Sequence, residues 1–240
     1  KNWGIHYSLF NEAYRILPTW KSTGSKALSM IPSAFMNTQI SLIMVDMGGV
    51  LALHTDSTME YSLLKEFGLE QYRSFSELDP SLPLLLQEHS KSVIDEKEMW
   101  RLFTEKTHSE VPSYEGSLWG KYFSPTLDKA METLLRELKE KGYRIICATN
   151  TEPAHYAYHR KNNQYALFDA VYASCVMGHA KPERAFFTHI LEQEQVTGEQ
   201  VFFIDDYLEN CNAASEVRIN AHHFQDVVML RQTLNGIGIL

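Results

Sequence analysis

Basic clusters are missing from this chain. Of its 240 residues, 22 are Lys or Arg and 30 are Asp or Glu, for a formal charge of −8. Binding to a polyanion draws on grouped cations that release counterions, so nucleic acid and membrane surfaces are not expected partners. Cysteine is almost as scarce. Cys147, Cys175 and Cys211 show neither a Cys-x-x-Cys pair nor zinc-ligand spacing, and an odd, sparse set beside apolar runs is expected of reduced core thiols in a cytoplasmic protein. No apolar run has the length to span a bilayer, and internal repeats and low-complexity segments are absent. What remains is ordinary globular composition, 44% hydrophobic and 22% charged, enough for one large domain or a core with one insertion.

The periodicities divide the chain. Residues 1–35 form an N-terminal extension: Leu9, Phe10, Ala13, Tyr14 and Leu17 fall at helical spacing before Pro18, and a Gly/Ser-rich linker follows. This short helix is expected to pack on the core or on a second copy of the chain. Leu42 to Val45 is a short apolar run that reads as a buried strand. Residues 57–123 show helical patterns only: one from a Ser57/Glu60 capping box to Gly68, one from Asp79-Pro80 to His89, one from Asp95, and a shorter piece after Ser113. From residue 124 the pattern alternates. Helices are expected after Ser124-Pro125, Thr151, Lys181 and Tyr207, and strands at 143–148, 168–173, 200–204 and 220–224. Alternating strands and helices imply right-handed crossovers and a mostly parallel sheet covered on both faces, an α/β fold. The domains are therefore the extension, a core of 36–56 plus 124–240, and an inserted helical cap of 57–123.

The chemistry collects at strand ends, where an open α/β sheet binds its ligands. Asp46 ends the first strand, and Gly48 and Gly49 let the backbone turn close to a ligand. Thr149-Asn150-Thr151 ends the next, Gly178-His179-Ala180-Lys181-Pro182 follows the third, and Asp205-Asp206 with Glu209 and Asn210 ends the fourth. Each has an ordinary reading: strand-end acid, turn, surface lysine, helix cap. Together they make a cleft in which several carboxylates repel one another unless a hard cation and a lysine neutralise them. Such a cluster suits phosphoryl transfer.

In that order the segments resemble the haloacid dehalogenase-like hydrolase superfamily. Asp46-Met47-Gly48-Gly49-Val50-Leu51 matches its first motif, Ala148-Thr149-Asn150 its second, Gly178-x-x-Lys181-Pro182 its third, and Val201 to Asp206 with Glu209-Asn210 its fourth. The subgroup with glucose-1-phosphatase-like enzymes and the N-terminal phosphatase domain of soluble epoxide hydrolases is the most similar. The resemblance implies a Rossmann-like core with sheet order 3-2-1-4-5 and a helical cap. It implies a Mg²⁺-dependent phosphatase of a small phosphorylated metabolite, such as a sugar phosphate, in which Asp46 forms an aspartyl-phosphate. Asp46, the Gly48 carbonyl, Asp205 and Asp206 would serve the metal. Thr149 and the Asn150 backbone would hold the phosphoryl group, with Gly49 beside it, and Lys181 would pair with Asp46.

One position departs from the pattern. Most phosphatases of the superfamily carry a second aspartate two residues after the nucleophile as general acid and base, and here that residue is Gly48. His54 is a candidate substitute, with a solvent-facing role as the plainer reading. His155, Tyr156, Tyr158, Met177, His179 and Tyr207 are candidates for contacting the leaving group, while Trp100, Phe103 and Trp119 read as cap core. The alternatives are a weakly active or inactive binding protein and a phosphotransferase or mutase. A homodimer, if formed, is expected to use the extension or the cap.

Overall fold

The parallel sheet is built from strands whose alternate side chains fill two separate cores. In the computed structural model, which describes residues 39–53 and 57–240, β1 (Leu42–Val45) is buried throughout. It is flanked by β4 (Arg144–Thr149) and β6 (Val201–Asp205), with β5 (Ala170–Ala173) and β7 (Asn220–His223) outside them. The order β5-β4-β1-β6-β7, parallel throughout, is the 3-2-1-4-5 expected of the five core strands. Ile43, Val45, Ile145, Cys147, Phe202 and Ile204 face one side with Met131, Leu134 and Leu138 of α5 (Lys129–Glu140) and Leu230 and Leu234 of α10 (Val227–Gly236). Leu42, Met44, Ile146, Ala148 and Phe203 face the other with Phe186, Phe187 and Ile190 of α8 (Arg184–Glu194) and Ala214 of α9 (Leu208–Glu216). Period-two alternation across two covered faces explains why these strands read as unbroken apolar runs.

A two-stranded hairpin marks where the cap enters and leaves. β2 (Ala52–Leu53) pairs antiparallel with β3 (Thr126–Leu127). Leu127 therefore belongs to a strand rather than to the helix expected after Ser124-Pro125, and Asp128 caps α5 through the Ala130 and Met131 amides. Between the two strands lie α1 (Ser57–Glu66), α2 (Phe75–Leu78), α3 (Leu82–Ser90) and α4 (Glu96–Thr107). Their core is separate and aromatic, with Phe67, Phe75, Trp100, Phe103 and Trp119 in mutual contact. Two local expectations are corrected. Asp79 follows α2, where its Oδ1 takes the Ser81 amide at 2.8 Å, and α3 starts later with Pro83 in its first turn. Glu60 accepts from the Phe75 amide, tying α1 to α2, and the side chain of its expected capping partner Ser57 lies outside the described residues. No helix forms at 113–123, because the segment runs back along the cap core to β3. Asp95 caps α4 as expected, accepting from the Glu98 amide at 2.8 Å.

The cap is tied to the core beside the end of β4. Ser174, in α7 (Ser174–Met177), accepts from the Thr151 amide at 2.9 Å and donates to the Ser90 carbonyl of α3 at 2.7 Å. Lys91 reaches Glu183 at 3.1 Å. The N-terminal extension and His54 lie outside the described residues. No helix among those described is long and apolar enough to cross a membrane, and the three cysteines are free, Cys147 and Cys211 being buried.

Candidate active site

Parallel register alone brings the strand-end residues together. Val45 stands level with Cys147 and Ile204, so Asp46 leaves the sheet beside Thr149 and Asp205. The Asp46 amide still donates to the Ile204 carbonyl at 2.9 Å, which holds its side chain at the sheet edge. Lys181 arrives from the loop after α7 and is buried between the two carboxylates. Its Nζ lies 2.9 Å from Asp46 Oδ1 and 2.7 Å from Asp205 Oδ2. Burial works against the lysine charge, but the two carboxylates outweigh it and push Lys181 up to about 12. Burial drives the Asp46 carboxyl up to about 7, Asp205 and Asp206 add to it, and Lys181 opposes.

The two acids after β6 have different surroundings. Asp205 is fully buried and saturated. It takes Lys181, the Tyr207 amide at 2.8 Å, and Asn210 Nδ2 at 3.0 and 3.2 Å on its two oxygens. It orients Lys181 more than it faces the cleft. Asp206 leans on Gly49: a Cβ built there would meet Asp206 Oδ2 at 2.1 Å and Cγ at 2.6 Å, and Gly49 has φ +70. Only glycine permits both that backbone and that approach. Gly49→Ala should therefore push the Asp206 carboxylate out of the cluster. The expected result is an at least tenfold loss of divalent-cation affinity by calorimetry in a protein that still folds; unchanged affinity would show that Asp206 needs no such support.

Asp46, Asp205 and Asp206 each place a carboxylate oxygen within 4.8 Å of the others. Three carboxylates against one ammonium leave a formal deficit of two positive charges, and the donors are all hard oxygens. A divalent Mg²⁺ fits that set better than a soft metal.

The second motif does two jobs. Thr149 is buried at the cleft floor. The Asn150 side chain turns away to the third motif, where Nδ2 donates to the Lys181 carbonyl and Oδ1 accepts the Lys181 amide, both at 2.8 Å. That reciprocal clamp fixes the backbone carrying the lysine. Residues 149–152 then lead into α6 (Pro153–Lys161), whose N-terminus favours an anion in front of it.

These groups form the floor of a cavity of about 680 Å³ between cap and core. Its walls include Met59, Leu86, Trp119 and Phe123 from the cap side and Glu152, His155, His159 and Tyr207 from the core. His155 does line it, but as a tie. Its Nδ1 lies 3.1 Å from Glu152 Oε2, its Nε2 3.3 Å from the Trp119 carbonyl, and its ring stacks on Phe123 at 3.6 Å. Burial would raise the Glu152 pKa, but its bond with His155 overrides this and holds the carboxyl below its usual range. His179 is not among the lining residues. It sits outside, near His189 and Glu183, because its side chain leaves the loop away from Lys181. Tyr156 packs against the core cluster beside Tyr165, Tyr158 on the cap core, and Met177 on the face covered by α8. Sequence reading missed Phe123, His159 and Leu86 as wall residues, since apolar and aromatic side chains at helical spacing usually mean core.

Comparison with known proteins adds the family. The model of a family described as "Hydrolase: haloacid dehalogenase-like hydrolase" matches residues 40–217. A sesquiterpene phosphatase of Aspergillus oryzae is 35% identical over 100 residues, 41% of this chain and 51% of that protein. A drimenol cyclase of Aspergillus calidoustus is 30% identical over 118 residues, 47% of this chain and 22% of that protein. The chain thus spans about half or less of the length of these two relatives. A HAD family enzyme of Bacteroides thetaiotaomicron, crystallised with magnesium and inorganic phosphate, has the same fold. Its TM-score is 0.63 at 24% identity, covering 80% of this chain and 98% of that one.

Proposed function

The chain belongs to the haloacid dehalogenase-like hydrolase family, and from that premise we propose that it is a Mg²⁺-dependent phosphatase of small phosphomonoesters acting through Asp46. The observation that carries this reading is the buried Asp46–Lys181–Asp205 array on the floor of a cavity, with Asp206 beside it. The magnesium and phosphate in the Bacteroides enzyme, and the phosphatase named among the relatives, support it.

Asp46 is the nucleophile. One carboxylate oxygen bonds to phosphorus as the ester P–O bond breaks, and the organic group leaves with that bonding pair and takes a proton from water. A second water then attacks phosphorus, releasing inorganic phosphate and restoring the Asp46 carboxylate. Lys181 opposes protonation of Asp46 and holds it in place. The Thr149 hydroxyl and the amides leading into α6 hold the phosphoryl oxygens, the loop being fixed by the Asn150 clamp and the Ser174 tie. Asp46, Asp206 and the Gly48 carbonyl, with Asp205 directly or through water, would hold Mg²⁺, which would supply the charge that offsets three carboxylates as a phosphate dianion approaches. The organic part lies against Met59, Leu86, Trp119 and Phe123, a surface that favours a substrate with an apolar face. The sesquiterpene phosphatase relative supports that choice, and a sugar phosphate could stack on the same aromatic rings.

Gly48 shapes the leaving group. It offers no acid, and a Cβ built there meets nothing within 4 Å. A side chain can therefore start there without a clash at Cβ, and Gly48→Asp should speed release from simple alkyl phosphates by about 10²-fold or more. Aryl phosphates, whose leaving groups need no proton, should gain little. Equal gains on both would show that proton supply does not limit the wild type.

The missing acid also favours a second reading, a weakly active or inactive binding protein. A panel of alkyl, sugar and aryl phosphates, assayed with Mg²⁺ and with chelator, separates the two. Turnover restored by Mg²⁺ after chelation is expected. No release from any ester would overturn the phosphatase reading and leave the binding protein.

A further inference from the structure

One histidine of the cavity wall has no part in that chemistry. His159 lies four residues after His155 on α6, so both rings share one face of the helix. It is 3% exposed and lines the cavity. Its Nδ1 sits 2.6 Å from Gln164 Oε1. The other end of that amide decides the protonation: Gln164 Nε2 donates to the Pro125 carbonyl at 3.1 Å, which the amide oxygen could not do. Oε1 therefore faces His159 as an acceptor, the ring proton sits on Nδ1, and Nε2 keeps its lone pair. Phe123 meets the ring edge-on at 5.1 Å and Tyr165 packs at 5.2 Å, so the ring is held in position. Burial, with His155 acting in the same direction against the Gln164 bond, brings its pKa down to about 4. The result is a neutral imidazole of one tautomer.

We propose that His159 Nε2 accepts a hydrogen bond from a hydroxyl on the organic part of the substrate, several bonds away from phosphorus. This rests on the phosphatase reading and names the substrate class for the same cavity. At 1.5 Å per residue, His159 stands about 10 Å along α6 from Glu152, where the phosphoryl group enters. The same cavity is walled by Met59, Leu86, Trp119 and Phe123. The substrate is thus a phosphomonoester with an apolar stretch and a remote hydroxyl. A wall built to receive that hydroxyl discriminates against the deoxy compound, because the alternative leaves a buried acceptor unpaired.

Two series of about four to eight carbons test this: alkyl phosphates and the same chains carrying a terminal hydroxyl. The readout is the ratio of kcat/KM for the hydroxyalkyl over the alkyl ester at the best chain length. His159→Phe should lower that ratio about tenfold. His159→Gln, whose amide oxygen can reach the Nε2 position, should restore most of it. Gln164→Leu, which keeps the imidazole but frees its tautomer, should lower the ratio about threefold, and it serves if the Phe variant does not fold. A ratio unchanged in both His159→Phe and Gln164→Leu at every length would overturn the assignment and leave the ring as packing. A wild type that hydrolyses neither these series nor an aryl phosphate fails the phosphatase reading instead. Calorimetric binding of the same series then decides the His159 assignment by the same ratio.

Discussion

Replacing Asp46 by Asn should end phosphate release and, in the metal-free protein, raise the melting temperature. The first half follows from chemistry. An amide cannot form the phosphoryl-enzyme bond, and losing a covalent nucleophile costs about 10⁴-fold or more. The second half follows from burial, which pushes the Asp46 carboxyl from 3.8 to about 7. The folded chain then holds that proton to higher pH than the unfolded chain does. Stability present below about pH 4 is lost as pH rises through about 7. Asp46→Asn lacks that loss. Melting curves from pH 4 to 8 in chelator should therefore cross, with the variant higher at pH 8. A variant that melts lower there would show that pairing with Lys181 outweighs the desolvation of Asp46.

Lys181→Met should have the opposite effect on stability. The lysine is buried between Asp46 and Asp205, at 2.9 and 2.7 Å. Without it, Asp205 has no cationic partner among the described residues and faces Asp46 with no cation between them. Removing one member of a buried ion pair costs about 3–5 kcal/mol, and activity should fall by at least about 10²-fold with the loss of electrostatic support. Mg²⁺ supplies charge at the same cluster, so it should raise the melting temperature of Lys181→Met by more degrees than it raises the wild type's. Equal shifts would count against a metal at Asp46, Asp205 and Asp206. Lys181→Arg is not expected to restore function, because the planar guanidinium is larger than the slot a compact ammonium fills.

The core was legible because central parallel strands are short runs with both faces buried, bounded by the polar residues that end them. Leu42–Val45 and Val201–Asp205 carry that pattern, and α5 carries its helical counterpart through Met131, Leu134 and Leu138. Two-residue strands leave no such trace. Ala52–Leu53 and Thr126–Leu127 exist because they pair with each other, and Leu127 read on its own fits a helix. The segment 113–123 also misleads locally, because its path follows the cap core rather than its own propensity.

The same division runs through the site. Asp46, Thr149, Asp205 and Asp206 could be read from the chain because each sits at or just after a strand end, with Lys181 following in the loop after α7, and a parallel sheet brings such ends to one edge whatever lies between them. That follows from strand direction alone. The sequence by itself determined the nucleophile candidate, the acidic cluster and the missing acid at Gly48. Only the tertiary structure decided that Asn150 clamps the lysine loop, that Gly49 makes room for Asp206, that His179 stays outside, and that His159 lines the cavity with its tautomer fixed. Those outcomes depend on where separate segments meet: 119–123 against α6, Gln164 against Pro125, β1 against the loop after β6. Contacts between residues dozens of positions apart are set by packing, which local periodicity does not encode.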